Sequence, residues 1–407
     1  MTIKTIEGNI TAPKGFTAEG VCCSIRHYNK KRKDLALIFC ENLCSAAGVY
    51  TKNKVKGAPI PVTKSHLEDG KAQAIIINSY IANTCTKDGL EVAEEMCQIT
   101  ADALNIKNED VLVASTGVIG QSLPIEPIRK GVEMLKPILS KEGGKNASEA
   151  ILTTDTYPKE VACEFEIGGK TVTMGGIAKG SGMIHVNMGT MLAFITTDLA
   201  ISSEMIKKAT EDVVEDTFNM VSVDGDTSTN DMLMILASGK VGNPEITEEN
   251  DDYRAFVEAY RHCTKNLSKK IAGDGEGATK LLICSVTGAK TKKDARAAAK
   301  SVVSSSLLKA AIFGEDANWG RILCALGYSD AEMDIYGIDV SILSSAGEIQ
   351  VCEKGYGLDF DEDLAKKILE QEEVTIKVEL QDGEESAEAY GCDLTYDYVK
   401  INGDYRS

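Results

Sequence analysis

The sequence predicts a layered α/β protein. Apolar runs with the character of strands alternate with amphipathic stretches of helical spacing through most of the chain, and this alternation is typical of the class. The 407 residues are enough for two or three domains, and 43% hydrophobic with 26% charged residues is ordinary for a globular protein. This composition argues against a disordered or fibrous chain.

Strands are predicted where runs rich in Val, Ile or Leu are bounded by polar residues or Gly. In chain order these runs are 34–40, 74–78, 110–115, 191–196, 220–223, 280–286, 337–343 and 374–378. We expect helices between them. Two stripes of helical spacing predict helices packed on the core, namely Ile128, Val132, Leu135 and Leu139, and then Tyr253, Phe256, Val257 and Tyr260.

Other segments predict helix ends, turns and loops. Thr291 with Asp294 resembles a capping box, at the start of an Ala-rich helical stretch that ends near Phe313. The acidic stretch 242–252 predicts a solvated loop that leads into a helix, and the basic run 30–33 predicts a solvated hairpin turn. The Gly-rich stretch 174–190 has no periodicity, and we expect a close approach of backbone to backbone there.

Charge and cysteine usage limit the partners. The net charge is −18, and such a field repels phosphate backbones and anionic membranes, so neither nucleic acid nor a membrane is an expected partner.

No apolar run reaches the ~18 residues of a membrane span, and the first residues do not resemble a secretion signal. We therefore expect a cytoplasmic protein whose 12 Cys are reduced core thiols. Without a CxxC pair and with only four scattered His, no metal site is expected.

The most informative segment surrounds Thr190. From Gly175 to Asp198 the chain reads GGIAKGSGMIHVNMGTMLAFITTD. A Thr that follows a minimal side chain and precedes a buried strand suits self-cleavage, because its hydroxyl can attack the preceding carbonyl unhindered. Cleavage would free an α-amine with a pKa near ~8, able to take the proton from the Thr hydroxyl. Composition alone favours an ordinary strand start at Gly189-Thr190 over a self-cleavage site.

The wider sequence resembles the glutamate N-acetyltransferase family of arginine biosynthesis, also called the ornithine acetyltransferase family, over nearly the whole chain. That family carries its self-processing Thr in a K-G-x-G-M-I-x-P-N-M-A-T-M-L string. Residues 179–192 match it, with Val186 in place of Pro and Gly189 in place of Ala. Further matches are GVYTKNKVKGAPI from Gly48, STGVIG from Ser115, TTDT from Thr153, VDGDTSTND from Val223 and GEDANWGRI from Gly314. The segment 78–86 departs from the family pattern at Tyr80 and Ile81.

The resemblance implies a mechanism and its residues. It implies cleavage between Gly189 and Thr190 into an α chain, 1–189, and a β chain, 190–407, with Thr190 as nucleophile. Thr116 and Gly117 would stabilise the oxyanion. The substrate-binding positions would be Thr153, Lys179, Thr190, Glu276, Asn402 and Ser407. Lys179 could pair with a substrate carboxylate and Glu276 with the cationic amine of ornithine.

The same resemblance implies the reaction and the assembly. An acetyl group would pass from N-acetylornithine to Thr190 and then to glutamate, without a metal or prosthetic group. Some members also accept acetyl-CoA, and the sequence does not decide whether this chain does. Members assemble as two α and two β chains, and we expect the same here.

Two alternatives remain open at this stage. Asp224 and Asp226 approximate the D-x-D-x-T start of aspartate-nucleophile phosphatases that hold Mg²⁺, although the fifth position is Ser228. A relative that keeps the fold without the chemistry is the other alternative, because Val186 and Gly189 depart from the family pattern.

Overall fold

The computed structural model describes residues 2–25, 31–185 and 191–404. The predicted mixture of strands and helices is confirmed. Within these residues the strands are β1 Lys4–Ile6, β2 Phe16–Val21, β3 Leu35–Tyr50, β4 Lys71–Ile81, β5 Val111–Val118, β6 Lys159–Ile167, β7 Lys170–Lys179, β8 Ile184–His185, β9 Leu192–Thr197, β10 Ser222–Thr227, β11 Met232–Ala237, β12 Leu281–Ala289, β13 Asp339–Ser344, β14 Gly347–Glu353, β15 Tyr356–Gly357, β16 Glu373–Glu379 and β17 Glu385–Cys392.

Helices separate many of these strands. They are α1 Pro59–His66, α2 Gly89–Leu104, α3 Ile125–Leu135, α4 Gly144–Ala150, α5 Ser203–Glu215, α6 Asp251–Gly273, α7 Lys292–Ser304, α8 Ser306–Phe313, α9 Trp319–Gly327, α10 Glu362–Leu369 and α11 Tyr396–Asp404. Over the described ranges, no helix is both long enough and apolar enough to cross a membrane.

The larger sheet is organised around β3. Among the described residues it has nine strands in the order β1-β6-β7-β9-β11-β3-β4-β5, with β2 also paired to β3. The first part of β3 pairs with β2 and β4, and its last part, Ser45 to Tyr50, pairs with β11. One long strand thus joins the two halves of the sheet.

Helices cover this sheet in layers. Alternate side chains of β3 enter different core clusters, because strand residues point to opposite faces. Leu35 and Leu37 pack with α2 and α3, whereas Ala36 and Ile38 join a cluster that also contains Phe194 of β9. A third cluster packs α5 and α6 on the other half of the sheet.

A smaller sheet lies in the C-terminal part. It has the order β15-β14-β13-β16-β12-β17 and packs against α7 to α10. Helix α6 contacts β6 and β7 of the larger sheet and β12 and β17 of the smaller one. Segments of both sheets therefore reach the region described below as the candidate site.

The predicted strands all overlap observed ones, but several strands were missed. Met220 lies in a 3-10 helix rather than in a strand, and β10 begins two residues later. The Gly-rich stretch includes the end of β7, which we did not predict. Its Gly content does reflect a close approach, because a Cβ on Gly175 would collide with the backbone carbonyl of Asn9.

The helix, turn and loop predictions hold in most respects. The Thr291 hydroxyl accepts the Asp294 N–H at 3.1 Å at the start of α7. The Ala-rich stretch is two helices rather than one, because Ser305 leaves helical geometry and caps α8. The acidic loop is mostly exposed and leads into α6. Residues 31–33 of the basic run lie between the antiparallel strands β2 and β3, and Lys30 lies outside the described residues.

The cysteine prediction is correct for most of the thiols. None of the 12 Cys forms a disulfide in the described part of the chain, and eight of them are buried. Cys85 and Cys324 are exposed, which the core-thiol prediction did not anticipate. Within the described ranges, no group of three or more His, Cys, Asp or Glu side chains is placed to hold a metal ion.

Candidate active site

One pocket gathers six of the residues that the sequence singled out. They are Thr116, Gly117, Thr153, Lys179, Glu276 and Asn402. Met191 and Leu192, which begin the predicted nucleophile strand, line the same pocket. Gly189, Thr190 and Ser407 lie outside the described residues.

The predicted oxyanion pair sits at the end of β5. Gly117 has φ +129°, and a Cβ there would collide with the Tyr80 carbonyl on the neighbouring strand β4. The parallel pairing of β4 and β5 places Tyr80 opposite Gly117 and Ile81 opposite Val118. Tyr80 and Ile81, which depart from the family pattern, are therefore strand residues directly beside the oxyanion pair. Only Gly fits at position 117 without strain.

Lys179 connects the predicted residues from the end of β7. Its Nζ donates to the Thr153 hydroxyl at 2.8 Å and to the Thr116 hydroxyl at 3.4 Å. Lys179 is 7% exposed. Burial lowers the pKa of Lys179, and the nearby carboxylate of Asp155 opposes that effect. A cation here is close enough to the pocket to bind a substrate carboxylate.

A buried ionic cluster lies next to Lys179. The Nζ atom of Lys159 lies 2.7 Å from the Asp155 carboxylate and 2.6 Å from that of Asp274. Asp155 also accepts the backbone N–H groups of Thr153 at 3.0 Å and of residue 180 at 2.7 Å. Burial opposes ionisation of Asp155, but Lys179 and Lys159 outweigh it and hold the pKa of Asp155 below its usual range. This cluster fixes the backbone on both sides of the predicted cationic site.

Glu276 and Asn402 meet across the pocket. The Asn402 amide of α11 donates to the Glu276 carboxylate at 2.7 Å, and the Glu276 backbone N–H donates to the Ser181 carbonyl at 2.9 Å. A Cβ on Gly182 would collide with the Glu276 carboxylate, so the Gly provides the space for it. The tail that composition alone would call frayed is helical as far as Asp404 and brings Asn402 into the pocket.

Sequence reasoning missed Asn230, which holds the oxyanion strand in place. Its amide nitrogen donates to the Ser115 carbonyl at 2.9 Å, and its amide oxygen accepts the Thr84 hydroxyl at 2.6 Å. Asn230 lies in the segment VDGDTSTND, which matched the family pattern without suggesting a role for this residue. Thr154, Gly182, Met183, Ser228 and Asp231 also line the pocket and were not predicted.

Asp224 has a structural role. Its carboxylate accepts the backbone N–H groups of Met183 at 2.6 Å and of Ile184 at 2.7 Å. Asp224 and Asp226 do not line the pocket that contains the other predicted residues. Asp224 thus anchors the segment that precedes residues 186–190, and its contacts do not resemble those of a phosphatase nucleophile.

Comparisons with known proteins identify the family of this chain. The model of the ArgJ family matches residues 17–407. The arginine biosynthesis bifunctional protein ArgJ of Caldanaerobacter subterraneus subsp. tengcongensis is 50% identical over 406 residues, which cover 100% of both chains. The bifunctional protein ArgJ 1 of Clostridium acetobutylicum is 52% identical over 408 residues, again with 100% of both chains covered.

A solved structure shares the fold. The crystal structure of the ArgJ protein from Bacillus halodurans is 45% identical with a TM-score of 0.51, and it covers 53% of this chain and 100% of that chain. These relatives are not consistent with the phosphatase alternative. They confirm the family that the sequence resembles, and the chain therefore belongs to the ArgJ family, whose curated relatives are bifunctional proteins of arginine biosynthesis.

Proposed function

We propose that this chain transfers the acetyl group of N-acetylornithine to glutamate through an acetyl-Thr190 enzyme, giving ornithine and N-acetylglutamate. The observation that carries the proposal is the single pocket that contains Thr116, Gly117, Lys179 and Glu276 beside Met191. Met191 lines this pocket, and the proposed nucleophile Thr190 directly precedes it in the chain.

The proposal includes self-cleavage between Gly189 and Thr190. The Thr190 hydroxyl attacks the Gly189 carbonyl, the peptide becomes an ester, and water hydrolyses the ester to release an α chain, 1–189, and a β chain, 190–407. The solved Bacillus halodurans chain supports this division, because its whole length corresponds to only 53% of this chain.

The pocket residues supply the parts that acetyl transfer requires. The Thr190 hydroxyl bonds to the acetyl carbon and gives its proton to the free α-amine of the same residue. The negative charge on the carbonyl oxygen is stabilised by the Thr116 hydroxyl and the Gly117 N–H. Ornithine leaves with the proton, and the amine of glutamate then attacks the acetyl ester. No prosthetic group takes part in these steps.

Charge in the pocket supports the substrate assignment. Lys179 would bind the substrate α-carboxylate, and Glu276 would bind the cationic side-chain amine of ornithine. Ser407, Thr153 and Asn402 complete the proposed binding set. Charge reversal in Glu276→Lys should weaken ornithine binding by about tenfold or more, since one like charge in a partly buried site costs more than ~1.4 kcal/mol. Unchanged binding by calorimetry would remove Glu276 from the proposal.

The second proposed activity uses acetyl-CoA as the acetyl donor for glutamate. The bifunctional names of the relatives support it, and the same acetyl-Thr190 enzyme would serve both donors. We also propose that the protein is cytoplasmic and that it assembles as two α and two β chains. Light scattering of the purified protein tests the assembly directly.

One experiment separates this proposal from its alternatives. Purified protein is incubated with N-acetylornithine alone, and the peptide that begins at Thr190 is analysed by mass spectrometry. We expect the added mass of one acetyl group on that peptide and its loss when glutamate is supplied. Cleaved protein without acetylation would indicate an inactive relative.

A further inference from the structure

A groove between α1 and the segment that joins β4 to α2 takes no part in the mechanism above. Its volume is about 580 Å³, which lies within the ~300–1,000 Å³ range of small-molecule sites. Its lining combines three lysines, Lys56, Lys64 and Lys87, with the exposed apolar side chains of Pro61 and Leu90. This combination suits a ligand that has both negative charge and an apolar surface.

The three lysines of the groove are available to an anion. The described residues that line the groove include no carboxylate, and none of the three lysines forms an ion pair with a carboxylate of the described chain. The Nζ atom of Lys64 lies over the Tyr50 ring, 5.1 Å from its centroid, and this contact orients the ammonium group without neutralising it. In a chain of net charge −18, the groove is thus a local site of opposite sign. Lysine commonly binds phosphate groups in this way, as a point charge.

The two walls of the groove are fixed to each other through Asn83. Its carbonyl accepts the Ala58 N–H at 2.9 Å, and its amide nitrogen donates to the Gly89 carbonyl at 2.9 Å. Asn83 and Cys85 both have left-handed backbone, with φ of +52° and +59°. Residues other than Gly keep this conformation where the surrounding contacts enforce it. The groove is therefore preformed, and a ligand does not have to order it.

The groove shares a wall with the active-site pocket. Asn83 lines the groove, and the hydroxyl of the next residue, Thr84, donates to the Asn230 amide oxygen at 2.6 Å. Asn230 lines the active-site pocket. On the side of α1, the Gly57 N–H donates to the Thr229 carbonyl at 2.9 Å. A long molecule that is anchored in the groove by one end can therefore place its other end at the pocket.

We propose that this groove binds the phosphorylated nucleotide end of acetyl-CoA, with the phosphates on Lys56, Lys64 and Lys87 and the adenine against Pro61 and Leu90. The pantetheine arm then extends along the shared wall and brings the acetyl thioester to the pocket. The inference rests on the second activity of the proposed function and gives that activity a binding site. N-acetylornithine carries no phosphate, so the groove serves one acetyl donor and not the other.

Cys85 reports on the occupancy of the groove, because it is exposed and lines it. Purified protein is treated with iodoacetamide in the presence and absence of acetyl-CoA, and alkylation is followed by peptide mass spectrometry. At about ten times the Kd of acetyl-CoA, the alkylation rate of Cys85 should fall about tenfold, since only the free fraction reacts. Cys324 is exposed on α9, outside the groove, and should keep its rate as the internal control.

Two results of this assay would overturn the inference. One is an unchanged alkylation rate at Cys85 in the presence of acetyl-CoA. The other is protection of Cys85 by ATP but not by acetyl-CoA, because the groove would then belong to a free nucleotide.

Lysine substitutions test the phosphate contacts. Lys64→Gln and Lys87→Gln each remove one charge at an exposed position, where substitution has little effect on the fold. We expect each variant to raise the Kd of CoA, measured by calorimetry, by about tenfold or more, because a hydrogen bond to a charged group is lost. CoA has the same nucleotide as acetyl-CoA and carries no acetyl group to transfer.

Lys54→Gln is the matched control, because Lys54 is exposed in the same segment as Lys56 but does not line the groove. Its Kd for CoA should match wild type. Wild-type Kd values in Lys64→Gln and Lys87→Gln would overturn the inference.

This inference and the proposed function fail separately. Acetylation of glutamate from acetyl-CoA by wild type, with Cys85 unprotected, would contradict the inference alone. Protection of Cys85 by acetyl-CoA without acetylation of glutamate would contradict the second activity and still support the groove as the nucleotide site.

Discussion

The Thr116 hydroxyl accepts a hydrogen bond from Lys179 at 3.4 Å, and this contact leaves its own O–H free to donate. Gly117 adds a backbone N–H beside it, on a strand whose end is held by Asn230. In the proposed reaction, these two donors face the oxygen on which negative charge develops. Donors fixed before the reaction stabilise that charge without reorganisation.

Thr116→Val should therefore lower kcat by about 10²- to 10³-fold, the usual cost of one lost oxyanion donor, with a smaller change in KM. Thr116→Ser keeps the hydroxyl and should retain most of the activity. Steady-state kinetics of acetyl transfer measure both variants. A Val variant with wild-type kcat would exclude Thr116 from oxyanion stabilisation.

The sequence predicted individual site residues only where the resemblance to the family assigned them a role. Thr116, Gly117, Lys179 and Glu276 were assigned in this way, and the structure brings them into one pocket. The contacts of Asn230 reach Ser115 and Thr84, which are more than a hundred residues away along the chain. Pairings over such separations depend on the whole fold and leave no periodic signal in the sequence.

At the level of elements, the predicted strands were runs rich in Val, Ile or Leu that are bounded by polar residues or Gly. Strand β11 reads MLMILA and was missed, because Met and Leu are common in buried helices as well. The end of β7 was missed because it contains two consecutive Gly, which usually weaken a strand. In each case tertiary packing outweighs the local preference, and both strands line or flank the pocket.

Two glycines, one at the end of β5 and one just after it, provide a matched pair for testing the oxyanion turn. Gly117 and Gly120 both have positive φ, at +129° and +83°. A Cβ at Gly120 meets nothing within 4 Å, so Gly120→Ala should cost only the ~1–2 kcal/mol of a left-handed residue. Gly117→Ala also collides with Tyr80, and we expect a loss above ~3 kcal/mol together with loss of activity. Equal urea midpoints for the two variants would contradict this account.

Helix α11 should serve the site rather than the stability of the fold. It contains no buried residue, but its Asn402 donates to Glu276 at 2.7 Å. Deletion of residues 402–407 should abolish acetyl transfer and change the free energy of unfolding by less than ~0.5 kcal/mol. The exposed control Lys400→Ala should keep full activity. A fully active deletion variant would remove the tail from the proposed binding set.

For the whole molecule, the sheet explains how a cleaved chain can remain one protein. Strands β9 and β11 follow the proposed cleavage point, and they lie between β7 and β3, which precede it. Helix α6 also packs on β6 and β7. Residues from both sides of position 190 line the pocket. Separation of the two chains would break the centre of the sheet, so we expect them to copurify.

The buried ionic cluster should also contribute to global stability. Lys159 is fully buried between Asp155 and Asp274, and its loss removes the ion pair of Asp274 and leaves Asp155 with Lys179 alone. Lys159→Met should lower the free energy of unfolding by about 3–5 kcal/mol. Lys208 forms an exposed ion pair with Glu249. Lys208→Met should therefore change the free energy of unfolding by less than ~1 kcal/mol. Chemical denaturation that gave both variants the same stability would contradict the role of the cluster.

The central claim is that Thr190 is the nucleophile of both self-cleavage and acetyl transfer. The most direct measurement is the intact mass, under denaturing conditions, of purified wild type beside Thr190→Ala. We predict two wild-type fragments, residues 1–189 and 190–407, and a single uncleaved chain for the variant. An uncleaved wild type, or a cleaved Thr190→Ala variant, would contradict the N-terminal nucleophile mechanism.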